Sequence, residues 1–221
     1  MAISARPPGK AILSEQATGL SATPTRILDT AEALFAEQGF AATSVRDIAA
    51  AVGLTAASLY NHFPGKEALY QAVLARGVAP LVEMMRGLAG REPDADATEQ
   101  MIAAVMAHLA ERPHLARLIQ HEVLTGGEHL GSLVQDWVQP LFAAAGEQLE
   151  RDPSAPWEPE ERPLAVAAWM QLVLGHFTLA PLLRAGSSLD PLSPEGIARQ
   201  TRFLQKLSRL LARPDPAGGG A

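Results

Sequence analysis

The chain has 221 residues, 48% of them hydrophobic and 19% charged, and 18 Lys+Arg against 24 Asp+Glu give a formal net charge of −6. With a sequence pI near 5.5 and a mean hydropathy of +0.05, it is neither a disordered nor a fibrous chain, and it is long enough to bury a core. It is not a polycation, so any affinity for nucleic acid must come from a local patch and local shape. Zero cysteines exclude disulfides, thiolate metal sites and a cysteine nucleophile, in keeping with a cytoplasmic location.

Ala and Leu dominate and no β-branched alternation is seen, which predicts an all-α fold. Residues 1–20 contain Arg6, Pro7, Pro8 and Lys10, without periodicity or an apolar signal segment, and read as a mobile arm. Thr23 and Pro24 suit a helix start, and Ile27, Leu28, Ala31, Leu34 and Phe35 make one apolar face. Gly39 is expected to stop this helix, with Phe40 packing back on Phe35. Ser44 with Asp47 fits a capping box for a short second helix lined by Val45, Ile48, Ala49 and Val52. Gly53 makes the turn and Leu54 is buried after it. Thr55 caps a third helix running to about His62, ended by Pro64.

A fourth helix starts near Lys66, and Pro80 is expected to kink or break it. Helices are predicted over Thr98–Ala110, Pro113–Leu124, Leu130–Arg151, Arg162–Ala185 and Pro194–Ala212. Asp152–Glu161, with Pro153, Pro156 and Pro159, reads as a stiff linker, and residues 214–221 as a disordered tail. The division that follows is an arm at 1–20, a short-helix unit at 21–70, a larger helical unit at 71–213 and the tail. Leu164–Leu183 holds 20 residues without Asp, Glu, Lys or Arg, long enough to span a bilayer. Its Gln171, His176, Thr178 and Pro181 favour instead a buried helix or a subunit interface, and no membrane association is expected.

Two short helices about a Gly-centred turn within about 20 residues make a helix-turn-helix, whose second helix lies in the major groove. Thr55, Ala56, Ala57 and Ser58 are small enough to approach bases, while Leu59 and Phe63 anchor inward. The string from Thr43 to Leu69, above all Leu59-Tyr60-Asn61-His62-Phe63 followed by Lys66-Glu67, closely resembles the N-terminal module of the TetR family of bacterial transcription repressors. The resemblance covers roughly residues 24–72.

It implies three N-terminal DNA-binding helices followed by a helical ligand-binding and dimerisation domain. It further implies a homodimer on a double-stranded DNA operator, released by a small-molecule effector whose identity the sequence does not give. Carried over by position, Thr43, Ser44 and Arg46 lie at the start of the bracing helix. Thr55, Ala56, Ala57, Ser58, Asn61 and His62 lie on the recognition helix, and Tyr60 and Lys66 match phosphate-contacting positions. Where the family often has Gly, this chain has Ala57, and where it often has Ala, this chain has Val52. The recognition helix lacks Arg, Lys and Gln, so hydroxyls, Asn61, alanine methyls and DNA shape are expected to do the reading. Residues 1–76 hold six basic and six acidic residues, and 77–221 hold 12 and 18, so the acid excess lies outside this module. Arg6 and Lys10 are candidates for reaching adjacent backbone or groove.

In the C-terminal half, Met101, Met106, Trp137, Phe142, Trp169 and Phe177 are candidate pocket residues, with Met84 and Met85 beside them; plain core packing is the competing reading for each. Trp169, Val173, Phe177, Phe203, Leu207 and Leu210 are candidates for a dimer interface. The last helix also carries a basic stripe, Arg199, Arg202, Lys206, Arg209 and Arg213, read as a solvated face or as a partner for Glu158, Glu160 and Glu161. Histidines 108, 114, 121, 129 and 176 invite a metal reading, but Pro113 interrupts the Glu111–His114 pair, so no metal and no cofactor is expected. No phosphate loop, nucleophile elbow or paired-carboxylate pattern is found, so a helical-bundle enzyme is the remote alternative. The nearer alternative is a constitutive DNA-binding regulator without a ligand.

Overall fold

The computed structural model describes residues 24–89, 94–126, 129–152, 155–186, 188 and 190–211. The expected arm and tail, with Arg6, Lys10 and the capping Thr23, lie outside these residues. Every regular element among the described residues is helical.

Helices α1 (Pro24–Ala42), α2 (Val45–Ala51) and α3 (Ala56–Tyr60) form the N-terminal unit. Gly39 interrupts α1 as expected: at φ 80° and ψ 166° it adopts a backbone that L side chains avoid, and a second short helical stretch follows the kink to Ala42. Phe40 does fold back, its ring centroid 5.9 Å from that of Phe35. The Ser44–Asp47 capping box is present, with the Ser44 hydroxyl oxygen accepting from the Asp47 amide at 3.1 Å and the Ser44 amide donating to Asp47 Oδ2 at 3.0 Å. These bonds hold the Asp47 carboxyl below its ordinary value, led by the Ser44 side chain. Gly53 turns at φ 72°, and Thr55 caps α3 by accepting from the Ser58 amide.

Helix α4 (Lys66–Ala89) then runs 24 residues with Pro80 inside it. A proline removes one helical donor, leaving the carbonyl four residues back without its amide. His108 Nε2 donates to the next carbonyl, that of Gly77, at 2.7 Å, and the helix continues where a break was expected. The boundary drawn at residue 70 therefore falls inside one continuous rod.

Beyond it come α5 (Ala95–Ala110), α6 (Pro113–Thr125) and α7 (Leu130–Leu133), the last joined through a π-helical turn, Val134–Val138, to α8 (Gln139–Arg151). They are followed by α9 (Arg162–Thr178), α10 (Ala180–Gly186) and α11 (Pro194–Leu211). Pro113 and Pro163 occupy first-turn positions in α6 and α9, where the missing N–H has no helical partner to lose, while Pro140 lies within the continuous helical run from Leu130 to Arg151, just after the π-helical turn. The apolar run Leu164–Leu183 breaks at Leu179, and α9 and α10 bend by 63°. No single helix among the described residues is long and apolar enough to cross a membrane.

One core runs through the molecule. Ile27, Phe35, Ile48, Leu59 and Tyr70 belong to the same buried cluster as Met106, Leu109, Leu118 and Phe177. Helices α4 and α6 carry it from the N-terminal unit into the rest.

Candidate nucleic-acid interface and interior cavity

Helix α3 stands on Leu59, which is 0% exposed, with Leu54 and Phe63 packed against the core to either side. A 5-residue helix has too little hydrogen bonding to persist alone, so its orientation is set by this anchor and the Thr55 cap. Its other side is open. Thr55, Ala57, Asn61 and His62 are exposed, Ala56 and Ser58 are half-buried, and Tyr60 is 51% exposed. The hydroxyls of Thr55 and Ser58 lie 3.0 Å apart. Ser44 and Arg46 at the start of α2 are also exposed.

Lys66 is tied down: Nζ lies 4.1 Å from the Phe40 ring centroid and donates to the Ala41 carbonyl at 3.2 Å. Its ammonium is thereby held at the edge of the unit, half-buried along its stem. Thr43 departs from its expected place. At 1% exposed, it donates its hydroxyl to the Gly39 carbonyl at 2.8 Å. It braces the kink and presents no side chain to a groove.

Below this unit lies a joint that the sequence did not signal. Tyr70 on α4 donates its hydroxyl to Glu122 Oε1 on α6 at 2.6 Å. Burial, aided by Glu122, raises the Tyr70 phenol well above its ordinary value. Phe35, Phe40 and His129 surround the Tyr70 ring, with centroids 5.0, 5.0 and 4.7 Å from it. On the other flank, buried Glu32 of α1 accepts from Arg112 at 2.8 Å and from Arg76 of α4 at 3.4 Å, while Arg76 also pairs with Asp29 at 2.7 Å. Glu32–Arg76, Glu32–Arg112 and Tyr70–Glu122 are 44, 80 and 52 residues apart, so no periodicity could announce them. Close contacts complete the joint: a Cβ on Gly77 would stand 2.5 Å from Leu115 Cδ1, and one on Gly39 would stand 2.8 Å from His121 Cε1.

The C-terminal helices enclose a cavity of about 560 Å³, within the size range of small-molecule sites. Val78, Leu81 and Met85 of α4, Met101 and Ile102 of α5 and Ile119 of α6 are on its wall. Trp137, Trp157 and Trp169 are also there. Of the expected pocket residues, Met101, Trp137 and Trp169 line the cavity. Met106 and Phe177 are fully packed core, and half-buried Phe142 is off the wall. Trp157 was missed because its proline-rich setting read as a linker.

The expected dimer face needs a similar correction. Helix α9 turns Trp169 and Val173 toward the cavity and buries Phe177, which leaves these three off its outer surface. Phe203, Leu207 and Leu210 on α11 keep surface exposure, and Leu164 (70% exposed), Leu179 and Leu182 add apolar surface on α9 and α10. The basic stripe is a solvated face at Arg199, Arg202, Lys206 and Arg209, with Arg199 bonded to Glu195 on its own helix and Arg209 to Glu99 on α5 in place of the Glu158–Glu161 segment; Arg213 lies outside the described residues.

Among the described residues no group of three His, Asp or Glu side chains is arranged to hold a metal ion. His108 and His176 are instead bound to carbonyls, those of Gly77 and Pro191.

Residues 27–73 match the sequence model for bacterial regulatory proteins of the tetR family. The chain is 31% identical over 178 residues to the HTH-type transcriptional repressor Rv3405c of Mycobacterium tuberculosis, covering 80% of this chain and 83% of that protein. It is 33% identical over 109 residues to the HTH-type transcriptional repressor KstR2 of Rhodococcus jostii, covering 49% of this chain and about half (53%) of that protein's length. A tetR-family regulatory protein from Rhodococcus RHA1 shares the fold with a TM-score of 0.66 at 20% identity, over 87% of this chain and 97% of that one. The ketosteroid transcriptional regulator KstR2 of Mycobacterium tuberculosis does so with a TM-score of 0.63 at 20% identity, over 86% and 92%.

Proposed function

Because the chain belongs to the TetR family of bacterial regulatory proteins, helix-turn-helix transcriptional regulators, we propose that it is a cytoplasmic homodimeric repressor that a small molecule releases from its operator. The observation that carries this reading is the exposed α3, with polar and small side chains outward over a fully buried Leu59. Residues 21–70 act as the DNA-reading unit and 71–213 as the effector-binding and dimerising body.

In this reading Thr55, Ala56, Ala57, Ser58, Asn61 and His62 meet base edges. Ser44, Arg46, Tyr60 and Lys66 meet phosphates, and the amides opening α2 join them. Phe203, Leu207 and Leu210 with Leu164, Leu179 and Leu182 supply the apolar surface that a second copy covers. Twofold symmetry then places half-sites about 10 bp or more apart on a pseudo-palindrome.

The effector acts through α4 and α6. Val78, Leu81 and Ile119 touch the cavity, and the same two helices are tied to each other through Tyr70–Glu122 and to α1 through Arg76–Glu32. An occupant that prefers another α4–α6 spacing shifts the population toward dimers whose recognition helices no longer match two half-sites. A ligand-free constitutive regulator would leave such a cavity without a task.

Selection of bound DNA from a random pool tests the reading. An inverted repeat is the expected product, retained by the wild type and lost by Tyr60→Ala and Lys66→Ala. Recovery of no preferred sequence would remove the operator-binding role. Small molecules that release the selected DNA then separate the gated repressor from the constitutive one.

A further inference from the structure

The wall of the cavity restricts what it accepts, and this deduction rests on the effector site proposed above. All three tryptophans of the chain, Trp137, Trp157 and Trp169, are on the wall, with Met85, Met101 and Met170. Indole rings offer wide flat apolar area, and thioethers adapt around an irregular occupant.

Charged groups are gathered on the wall as Asp94, Glu99, Asp152 and Arg209, three carboxylates to one guanidinium. Asp94 and Arg209 are exposed, so these two charges are open to solvent. The guanidinium is already engaged, since Arg209 Nη2 donates to Glu99 Oε2 at 3.0 Å and Nε to Oε1. Asp94 accepts from the Asp96 amide at the start of α5. An anionic ligand would shed hydration there and meet like charge instead of an available cation. Gln148 is an uncharged polar group on the wall whose Oε1 is buried and has no hydrogen-bond partner. A buried acceptor in that state is stabilised by any donor that reaches it.

We propose that the cavity takes an uncharged, flat, ring-bearing molecule that donates a hydrogen bond to Gln148, and that it rejects the carboxylate analogue of the same ring system.

Three probes on one ring system test this with the full-length protein: 1-hydroxypyrene, pyrene and pyrene-1-carboxylate. Energy transfer from tryptophan to pyrene reads occupancy, because every tryptophan is on the wall. The expected order is 1-hydroxypyrene tightest, pyrene about fivefold weaker for the loss of one net hydrogen bond, and the carboxylate about tenfold weaker again. Gln148→Leu should bind 1-hydroxypyrene and pyrene equally, with pyrene affinity unchanged. Gln148→Met repeats the measurement if circular dichroism shows that the leucine variant has lost helix.

Carboxylate binding as tight as that of pyrene overturns the proposal, as does no binding by any probe or a hydroxyl preference that survives both variants. Binding in the expected order without any change in operator affinity upholds the ligand class and removes only the gating role proposed above.

Discussion

Residues 24–65 and residues 95–211 reach helical structure by different means. In the N-terminal unit, helices of 7 and 5 residues are fixed by side-chain caps, Ser44 with Asp47 and Thr55 with Ser58. Each places one apolar side down on Leu59, Ile48 and Val52. In the C-terminal part α5 and α11 open on side-chain caps, from Asp94 and Ser193, while α6 and α9 open on prolines. Their longer helices are shaped by what they pack against, and they leave about 560 Å³ unfilled between them. Local rules thus build a rigid reader, and tertiary packing builds a body with room for something else. Interior packing is normally dense, so this unfilled volume sets the C-terminal part apart from the N-terminal unit.

The sharpest way to break the contrast is to cut the links between the two parts. Arg112→Ala leaves Glu32 buried beside only Arg76, and removing one partner of a buried pair costs roughly 3–5 kcal/mol. Chemical denaturation should show that loss, and a change below 1 kcal/mol would mean that Glu32 relaxes to solvent. Leu59→Ala should cost about 3 kcal/mol and abolish operator binding, while tryptophan fluorescence from the cavity stays native-like. If both signals collapse together, the reader has no separate stability.

Ser44→Ala removes the α2 cap and should cost about 1 kcal/mol, read from the same denaturation curves. Tyr60→Phe, which deletes one hydroxyl, should weaken binding about fivefold on every operator sequence, measured by gel shift. Sequence-selective weakening would instead make Tyr60 a base reader.

The smallest effect is on pH. Burial holds the His176 imidazole below its ordinary value, against the opposing bond to the Pro191 carbonyl. The unfolded chain therefore protonates this group first, near pH 6.5. The stability it contributes is present above that value and lost as pH falls through it toward the depressed folded pKa. Tm should fall between pH 7.5 and 5.5, and His176→Gln should flatten that fall; an unchanged slope would exonerate His176.

The same contrast explains what the sequence made legible. Caps, turn glycines and apolar faces lie within four residues of one another, so α1 to α3 and their anchor were readable, as were the spans of α5, α6 and α11. Long-range partners were not: nothing near Glu32 points to Arg112, and nothing near Tyr70 points to Glu122. Thr43 was placed at the interface because its neighbours are there, whereas its hydroxyl is drawn inward by a carbonyl that the Gly39 kink exposes. Trp169, Val173 and Phe177 sit on a helix apolar nearly all round, where periodicity cannot tell the inner side from the outer. Pro80 does not break α4, and no local spacing shows that His108 of α5 bonds the Gly77 carbonyl beside it.

The unbroken course of α4 sets a rule for anyone grafting this reader onto a different sensor. Scission at residue 70 would sever a rod mid-turn and strand Arg76 from Glu32 and Asp29. A working chimaera has to keep α4 whole through at least its contact with α1, and to import from the donor body a residue that stands in for Arg112.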